Sequence, residues 1–449
     1  MPAALELRPV VQTPPEATLP RLRSFVSPLA GVVHGLSETL AAPEELRLVS
    51  IGCELADGLA TIGTPLESYT GSEHWSRAAA EAAAIGEALE RYSGSYVPRE
   101  RIVVASASEL GEEAIDPSRF ALFADEQHAS PGFPFRPFRR DTVVAWVDGF
   151  SVPEGRRAHL PAQLVFMPWA RLRPDEVPVG HATSSGLACA ATLEEAVLTG
   201  LLEVIERDAF MLAWHNRLSL PLLDWSYDRE LARLDRRYFA PSGLRYSAVD
   251  LSAFLGVPTV LGVVHGPLGA LGALGVGAAS APSVADAWRK ALAEAFSVRR
   301  WVADRALEEP ELLGRPASTI QTFDDHTLYY ADERRARSAS FLDSSVERRA
   351  VADVEPLEGD NVLEQIEAVC RRLEAGGASA YAVDVTSPDV LAADLTVVHV
   401  LVPELCALDV VEDARFLGGR RLYEAAFEAG LVPRPLGPAD LNPDPHPFP

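Results

Sequence analysis

Two acidic triplets stand where acids are costly. The stretch GEALERYSG (86–94) carries Glu87, Glu90 and Arg91, and LLEVIERDA (201–209) carries Glu203, Glu206 and Arg207. Positions 87 and 203 differ by 116, as do 90 and 206, and 91 and 207. On a helix, acids three residues apart and an arginine one further on share a face. Their flanks are apolar: Ala83, Ala84, Ile85, Ala88 and Leu89 in the first, Leu201, Leu202, Val204 and Ile205 in the second. An exposed ladder of ion pairs stabilises little and would not need such flanks. Two readings stand level on composition. One is buried Glu–Arg bridging with a structural role, since buried carboxylates need partners. The other is a site for a divalent cation and a polyphosphate, because hard dications take oxygen ligands and Arg meets phosphate bidentately. Lys290 and Glu294 add a Lys-x-x-x-Glu pair in a third Ala-rich run, with Arg299 further on. No G-x-x-x-x-G-K-S/T loop is present, and GVGAAS (275–280) ends in Ser280 without completing G-x-G-x-x-G. H-E-x-x-H, G-x-S-x-G and kinase signatures are also missing.

The elements that must carry these residues are legible in outline. WSRAAAEAAAIGEALERY (75–92) predicts a helix from its alanine content and lack of proline. TLEEAVLTGLLEVIERDAFMLAWHN (192–216) predicts another, with Thr192 as N-cap and Glu195 three residues on. A third helix is expected over 284–301, and strands over 142–152 and 160–168. The uncharged Gly/Pro-rich run 251–285 reads as two buried strands joined by HGPLG. YSAVDLS (246–252) and YAVDVTS (381–387) each precede an apolar run, which hints at pseudo-repeated strand–bend–strand units. Polar, weakly periodic residues 318–360 are expected as a mobile flap. Residues 1–45 read as an irregular Pro-rich arm. The whole predicts an α+β fold of mixed α/β layers.

Composition narrows the function. With 449 residues, 48% hydrophobic and 23% charged, the chain can bury a large core. A net charge of −24 argues against nucleic acid or an anionic membrane as partner. FRPFRR (135–140) is a local basic knot, read as a solvated loop. No signal-peptide pattern opens the chain. Cys53, Cys189, Cys370 and Cys406 are widely spaced, which disfavours a disulfide framework or structural zinc and predicts a cytoplasmic location.

The same stretches resemble the YcaO family of ATP-dependent enzymes that modify peptide backbone amides. The resemblance is carried by AAIGEALERYSG (83–94), TSSGLACAATLEEAVLTGLLEVIERDAFMLAWHNRL (183–218), KALAEAFSVRR (290–300), FDDHTLYYA (323–331) and NPDPHPFP (442–449). It implies a YcaO-type fold with pseudo-repeated helix/strand units around an ATP site, a catalytic domain over 46–440, and a Pro-rich tail, 441–449, reaching the active site. Glu87, Glu90, Glu203, Glu206 and Glu294 become Mg2+ ligands or the acids behind them. Arg91, Arg207 and Lys290 become phosphate contacts, and Glu195 a nucleotide-site acid. The chain departs from frequent family residues at Ser72, Ala83, Ala191 and Lys290.

A Pro-x-Pro-x-Pro ending, here Pro445 to Pro449, marks the azoline-forming branch by resemblance. The implied reaction is ATP-dependent cyclodehydration of Cys, Ser or Thr in a ribosomally made precursor peptide, releasing ADP and phosphate. The Pro449 carboxylate is the expected base. The resemblance further implies a leader-binding partner protein, E1-like or ThiF-like with a peptide-recognition module, and admits a homodimer. Competing expectations are thioamide or amidine formation, and a non-catalytic scaffold that binds peptide or nucleotide.

Overall fold

Alanine and serine set up the first long helix. The computed structural model describes residues 6–41 and 46–449; the rest of the 1–45 stretch lies outside the described residues. Ser76 caps the helix Arg77–Ser95, its Oγ accepting the Ala79 N–H at 3.2 Å. One face of this helix buries Ala80, Ala84, Ile85, Ala88 and Leu89. Small side chains there let the helix lie close on its sheet. The chain divides into two units, one of 1–40, 49–204 and 358–405, the other of 41–48, 205–357 and 406–449.

In the first unit, α1 (Pro15–Arg23), α2 (Arg77–Ser95) and the first part of α3 (Leu193–His215) accompany two sheets. The arm is therefore not irregular: α1 starts with a proline in its first turn, where no N–H is needed, and Arg23 forks onto Glu81 of α2 at 2.6 Å through both nitrogens. The arm also supplies β1 (Val33–Thr39), which pairs antiparallel with β2 (Val49–Leu55), itself paired antiparallel with β3 (Tyr69–His74). The second sheet runs β4 (Ile102–Ser106), β5 (Val143–Ser151), β13 (Tyr381–Asp384), β14 (Thr396–Leu401), β7 (Leu187–Ala190), with β6 (Arg157–Pro161) also on β5. The strand expected over 160–168 is displaced. Pro161 cannot donate to a ladder and ends β6, and Ala162–Leu164 turns instead as a 3-10 segment. Ile85, Leu89, Val147, Leu160, Phe166, Val383 and Val397 form this unit's core.

The division between units falls within α3, whose later turns belong to the second unit. That unit holds the sheet β11 (Leu274–Ser280), β10 (Thr259–His265), β9 (Arg245–Asp250), β8 (Leu222–Asp224), β12 (Arg348–Ala350). The strand pair expected in 251–285 is the antiparallel β10–β11 hairpin. α4 (Val284–Glu308) packs on β10 and β11, runs past the predicted end at 301, and is capped by Ser283. Asp208 of α3 is fully buried and takes the Cys406 N–H and the guanidinium of Arg421 on α5 (Arg420–Glu428), the latter at 2.8 Å. Asp208→Ala strands a buried guanidinium and is expected to destabilise the chain by about 3–5 kcal/mol, read by urea unfolding.

Residues 318–360 are not a flap. Short helices at Phe323–Tyr329 and Glu333–Ala336 and the strand β12, parallel to β8, bury His326, Leu328, Tyr330, Leu342 and Val351. Their apolar residues serve helices of one or two turns, too short to show a period. Among the described residues, no helix is long and apolar enough to cross a membrane, and all four cysteines are free thiols.

Candidate active site

An edge strand presents backbone N–H groups with no neighbouring strand to receive them. β3, β7 and β11 each lie at the end of their sheet, and β7 and β11 give N–H groups to helix glutamates. On α2, Glu90 accepts from Cys189 of β7 at 2.7 Å, while the backbone of Gly71 on β3 lowers the charging cost of Glu87. In the second unit, Glu294 of α4 accepts from Ala278 of β11 at 2.9 Å, and Glu206 of α3 accepts from Ser280, two residues along that strand, at 3.3 Å. The acids therefore sit on sheet edges, held by charge-assisted bonds. The pseudo-repeat has the same grammar. β9–β10–β11 leads into α4, while β13–β14 pairs with β7, which leads into α3; the YSAVD and YAVD echoes are β9 and β13.

Electrostatics in the first unit are strained by like charges. Glu90 is pushed up to about 8, first by burial, then by Glu203 and Glu87, against the pull of Arg91 and the Cys189 N–H. Glu87 is raised too, again mainly by burial, with Glu67 and Glu203 adding to it. Arg91 bridges Glu87 and Glu67, each at 3.2 Å. Burial alone would lower its pKa, but Glu87, Glu67, Glu90 and Glu203 together raise it. In the second unit Arg207 meets Glu206 at 3.3 Å and lies over the Phe448 ring, 4.3 Å from its centroid.

Gly277 lets α4 come this close. A Cβ there would lie 2.6 Å from both the Ala295 nitrogen and the Glu294 Cβ. Gly277→Ala is expected to push α4 off β11 and lower stability by about 1–3 kcal/mol, measured by thermal unfolding.

Of the residues singled out in the sequence, Glu87, Glu90, Arg91 and Glu203 gather in the first unit, and Glu206, Arg207 and Glu294 in the second. Lys290 is exposed on α4, one turn before Glu294. Glu195 is buried elsewhere on α3: Thr192 caps the helix as expected, with its hydroxyl bonded to Glu195 at 3.2 Å, and the Thr13 N–H of the arm meets the other carboxylate oxygen. The arm also gives the Arg8 N–H to Glu194 at 2.8 Å. Sequence reading missed these arm contacts, because backbone donors leave no signature in side-chain type. Pro449 is half-buried and follows Phe448, which is fully buried. The Pro-rich tail is therefore packed into the core over Pro445–Phe448.

A divalent cation fits this donor set. Glu203 raises the charging cost of both Glu87 and Glu90, and Glu87 adds to that of Glu90, which a cation would relieve. Among the described residues, no three His, Cys, Asp or Glu groups close into a metal cage. Mg2+ does not require one, since it commonly takes one or two carboxylates, waters and phosphate oxygens.

Fold and site together define a mixed α/β protein whose helix acids, on sheet edges, suit Mg2+ and phosphate. The chain belongs to the YcaO family: residues 73–406 match the model described as "YcaO cyclodehydratase, ATP-ad Mg2+-binding". It is similar to an uncharacterized protein of Methanothermobacter thermautotrophicus, 29% identical over 215 residues, which are 46% of this chain and 52% of that protein. Among solved structures it is similar to a "Heterocyclase in complex with substrate and Cofactor" at 25% identity and TM-score 0.82, covering 99% of this chain and 59% of that one. It shares its fold with YcaO from Methanopyrus kandleri bound with AMPPCP and Mg2+, at 21% identity and TM-score 0.64, covering 90% and 94%. The chain thus spans about half the length of the curated relative it matches.

Proposed function

We propose that this chain is the catalytic subunit of an ATP-dependent peptide cyclodehydratase. A Cys, Ser or Thr side chain of a precursor peptide attacks the preceding carbonyl carbon, forming the ring C–S or C–O bond. The former carbonyl oxygen takes the γ-phosphoryl group of ATP and departs as phosphate. Loss of the amide N–H proton then leaves the C=N bond of a thiazoline or oxazoline, with ADP as the other product. Bound Mg2+ would neutralise triphosphate charge.

The protein's own task is positioning and charge placement. In this reading Glu87, Glu90, Glu203, Glu206 and Glu294 hold Mg2+ directly or through water. Arg91, Arg207 and Lys290 meet phosphate oxygens, and Glu195 takes part in nucleotide binding. The Pro449 carboxylate takes a proton from the attacking group or the amide. A precursor peptide and a leader-binding partner protein complete the system.

The observation that carries the reading over thioamide or amidine chemistry is the docking of Phe448 under Arg207, which seats the Pro-x-Pro-x-Pro stretch beside a proposed phosphate contact. The test combines the protein, its partner, candidate precursor peptides and Mg2+-ATP, followed by mass spectrometry. Loss of one water per ring is expected, and Glu203→Gln should stop it. Exchange of oxygen for sulfur would point to thioamide formation. Unchanged peptide mass with no Mg2+-ATP binding would favour the scaffold.

A further inference from the structure

The tail is fastened by a buried polar layer to which the resemblance assigns no role. His446 and His326 stack face to face, ring centroids 3.9 Å apart and planes within 4°. His446 Nε2 lies 2.7 Å from the Asp409 backbone oxygen, which only accepts, so Nε2 carries the proton and donates. His446 Nδ1 receives the Phe448 N–H at 3.2 Å and must keep its lone pair. These two bonds select one neutral tautomer. A second proton would set an N–H against the N–H of Phe448.

The groups facing His446 hold it in that state. His326 directs its two ring nitrogens at the backbone oxygens of His446 and Val410, at 3.2 and 3.1 Å. The Asp409 carboxylate is engaged by His215 at 3.0 Å and by the Phe416 N–H at 2.7 Å. Burial, then the neighbouring His326, keep His446 well below the usual imidazole range. Upstream, Trp214 donates to the Asp444 backbone oxygen at 3.1 Å and Tyr330 to that of Pro445. Downstream, the Phe448 ring packs on Phe210 at 4.6 Å and receives Arg207 on its other contact.

We propose that His446 is a positioning residue: through the Phe448 N–H it sets the Phe448 ring that holds the Arg207 guanidinium in place for phosphate. This rests on the reading that Arg207 serves a nucleotide. A cation over an aromatic face is held in direction as well as energy, so a displaced ring would leave Arg207 misaimed rather than missing.

The test is Mg2+-ATP binding by calorimetry on the full-length chain, with thermal unfolding as a check of folding. His446→Leu removes both ring bonds and is expected to weaken binding about tenfold. His446→Asn should restore most of it, because an Asn side chain accepts the N–H two residues on, as in an Asx turn. Phe448→Leu keeps an apolar side chain but no ring face, and is expected to weaken binding by a similar factor, so the proposal stays testable should His446→Leu fail to fold. Arg207→Gln separates the two levels. If it binds like the wild type, the nucleotide role of Arg207 is wrong. If it loses binding while folded Phe448→Leu retains it, or while Asn rescues no better than Leu, the positioning role is overturned and the nucleotide role stands.

Discussion

Glu90→Gln is expected to make the nucleotide-free chain more stable above pH 8 while sharply lowering the Mg2+-ATP turnover proposed for it. Glu90 titrates near 8 in the fold, chiefly because burial and then the Glu203 and Glu87 charges oppose its ionisation, whereas an unfolded glutamate titrates near about 4.3. A raised acid costs stability. That cost is absent below the unfolded value, grows as pH rises, and is complete above about 8. Each pKa unit corresponds to about 1.4 kcal/mol, so the charged form costs a few kcal/mol once water contact is discounted. Glutamine keeps an oxygen for the Cys189 N–H and lacks the charge. Thermal unfolding of variant and wild type should therefore coincide below about pH 4, separate as pH rises, and differ most, in the variant's favour, above about pH 8. Turnover should fall by about 10–100-fold or more, as when a metal's supporting ligand is lost. A variant no more stable at high pH would mean that Glu90 carries little charging cost, and with it would go the electrostatic argument for a cation beside it.

How much of this was legible in the sequence follows from where each signal resides. α2, α3 and α4 announce themselves through alanine- and leucine-rich turns, and α3 also through Thr192 at its start; the caps Ser76 and Ser283 emerge only in the structure. The Glu-x-x-Glu-Arg repeat marked the acids because charge among apolar residues is conspicuous. The edge strands that receive those acids were harder to see. β7 has four residues, Leu187–Ala190, and its contribution is the backbone N–H of Cys189, which any residue but proline could supply. β12 has three residues, and its place beside β8 is set by a parallel pairing across more than a hundred residues of chain. The arm misread as irregular is built from a nine-residue helix, anchored through Arg23 to Glu81 of α2, and a strand that pairs with the next strand in the chain. Proline content marked the tail, but burial of His446 and Phe448 depends on Asp409, Phe210 and Tyr330, none of them adjacent in the chain.

That burial changes which experiment isolates the terminal carboxylate. Removing the last several residues would abolish activity, but it would also excise Phe448 from the core, a loss of about 3–5 kcal/mol for a buried phenylalanine. Adding one glycine after Pro449 is the cleaner perturbation. Pro449 is half-buried, so the His446–Phe448–Arg207 packing can persist while the carboxylate moves by up to about 3.6 Å, one extended residue. A general base must lie within hydrogen-bond reach of the proton it takes and typically contributes about 10²–10⁴-fold. Heterocycle formation is accordingly expected to fall by that factor, with the melting temperature and Mg2+-ATP affinity unchanged. Retained activity in the extended chain would transfer the base role to another group, while leaving the phosphate contacts and the histidine layer as they stand. A fall in nucleotide affinity instead would tie the terminal carboxylate to Arg207 rather than to proton transfer.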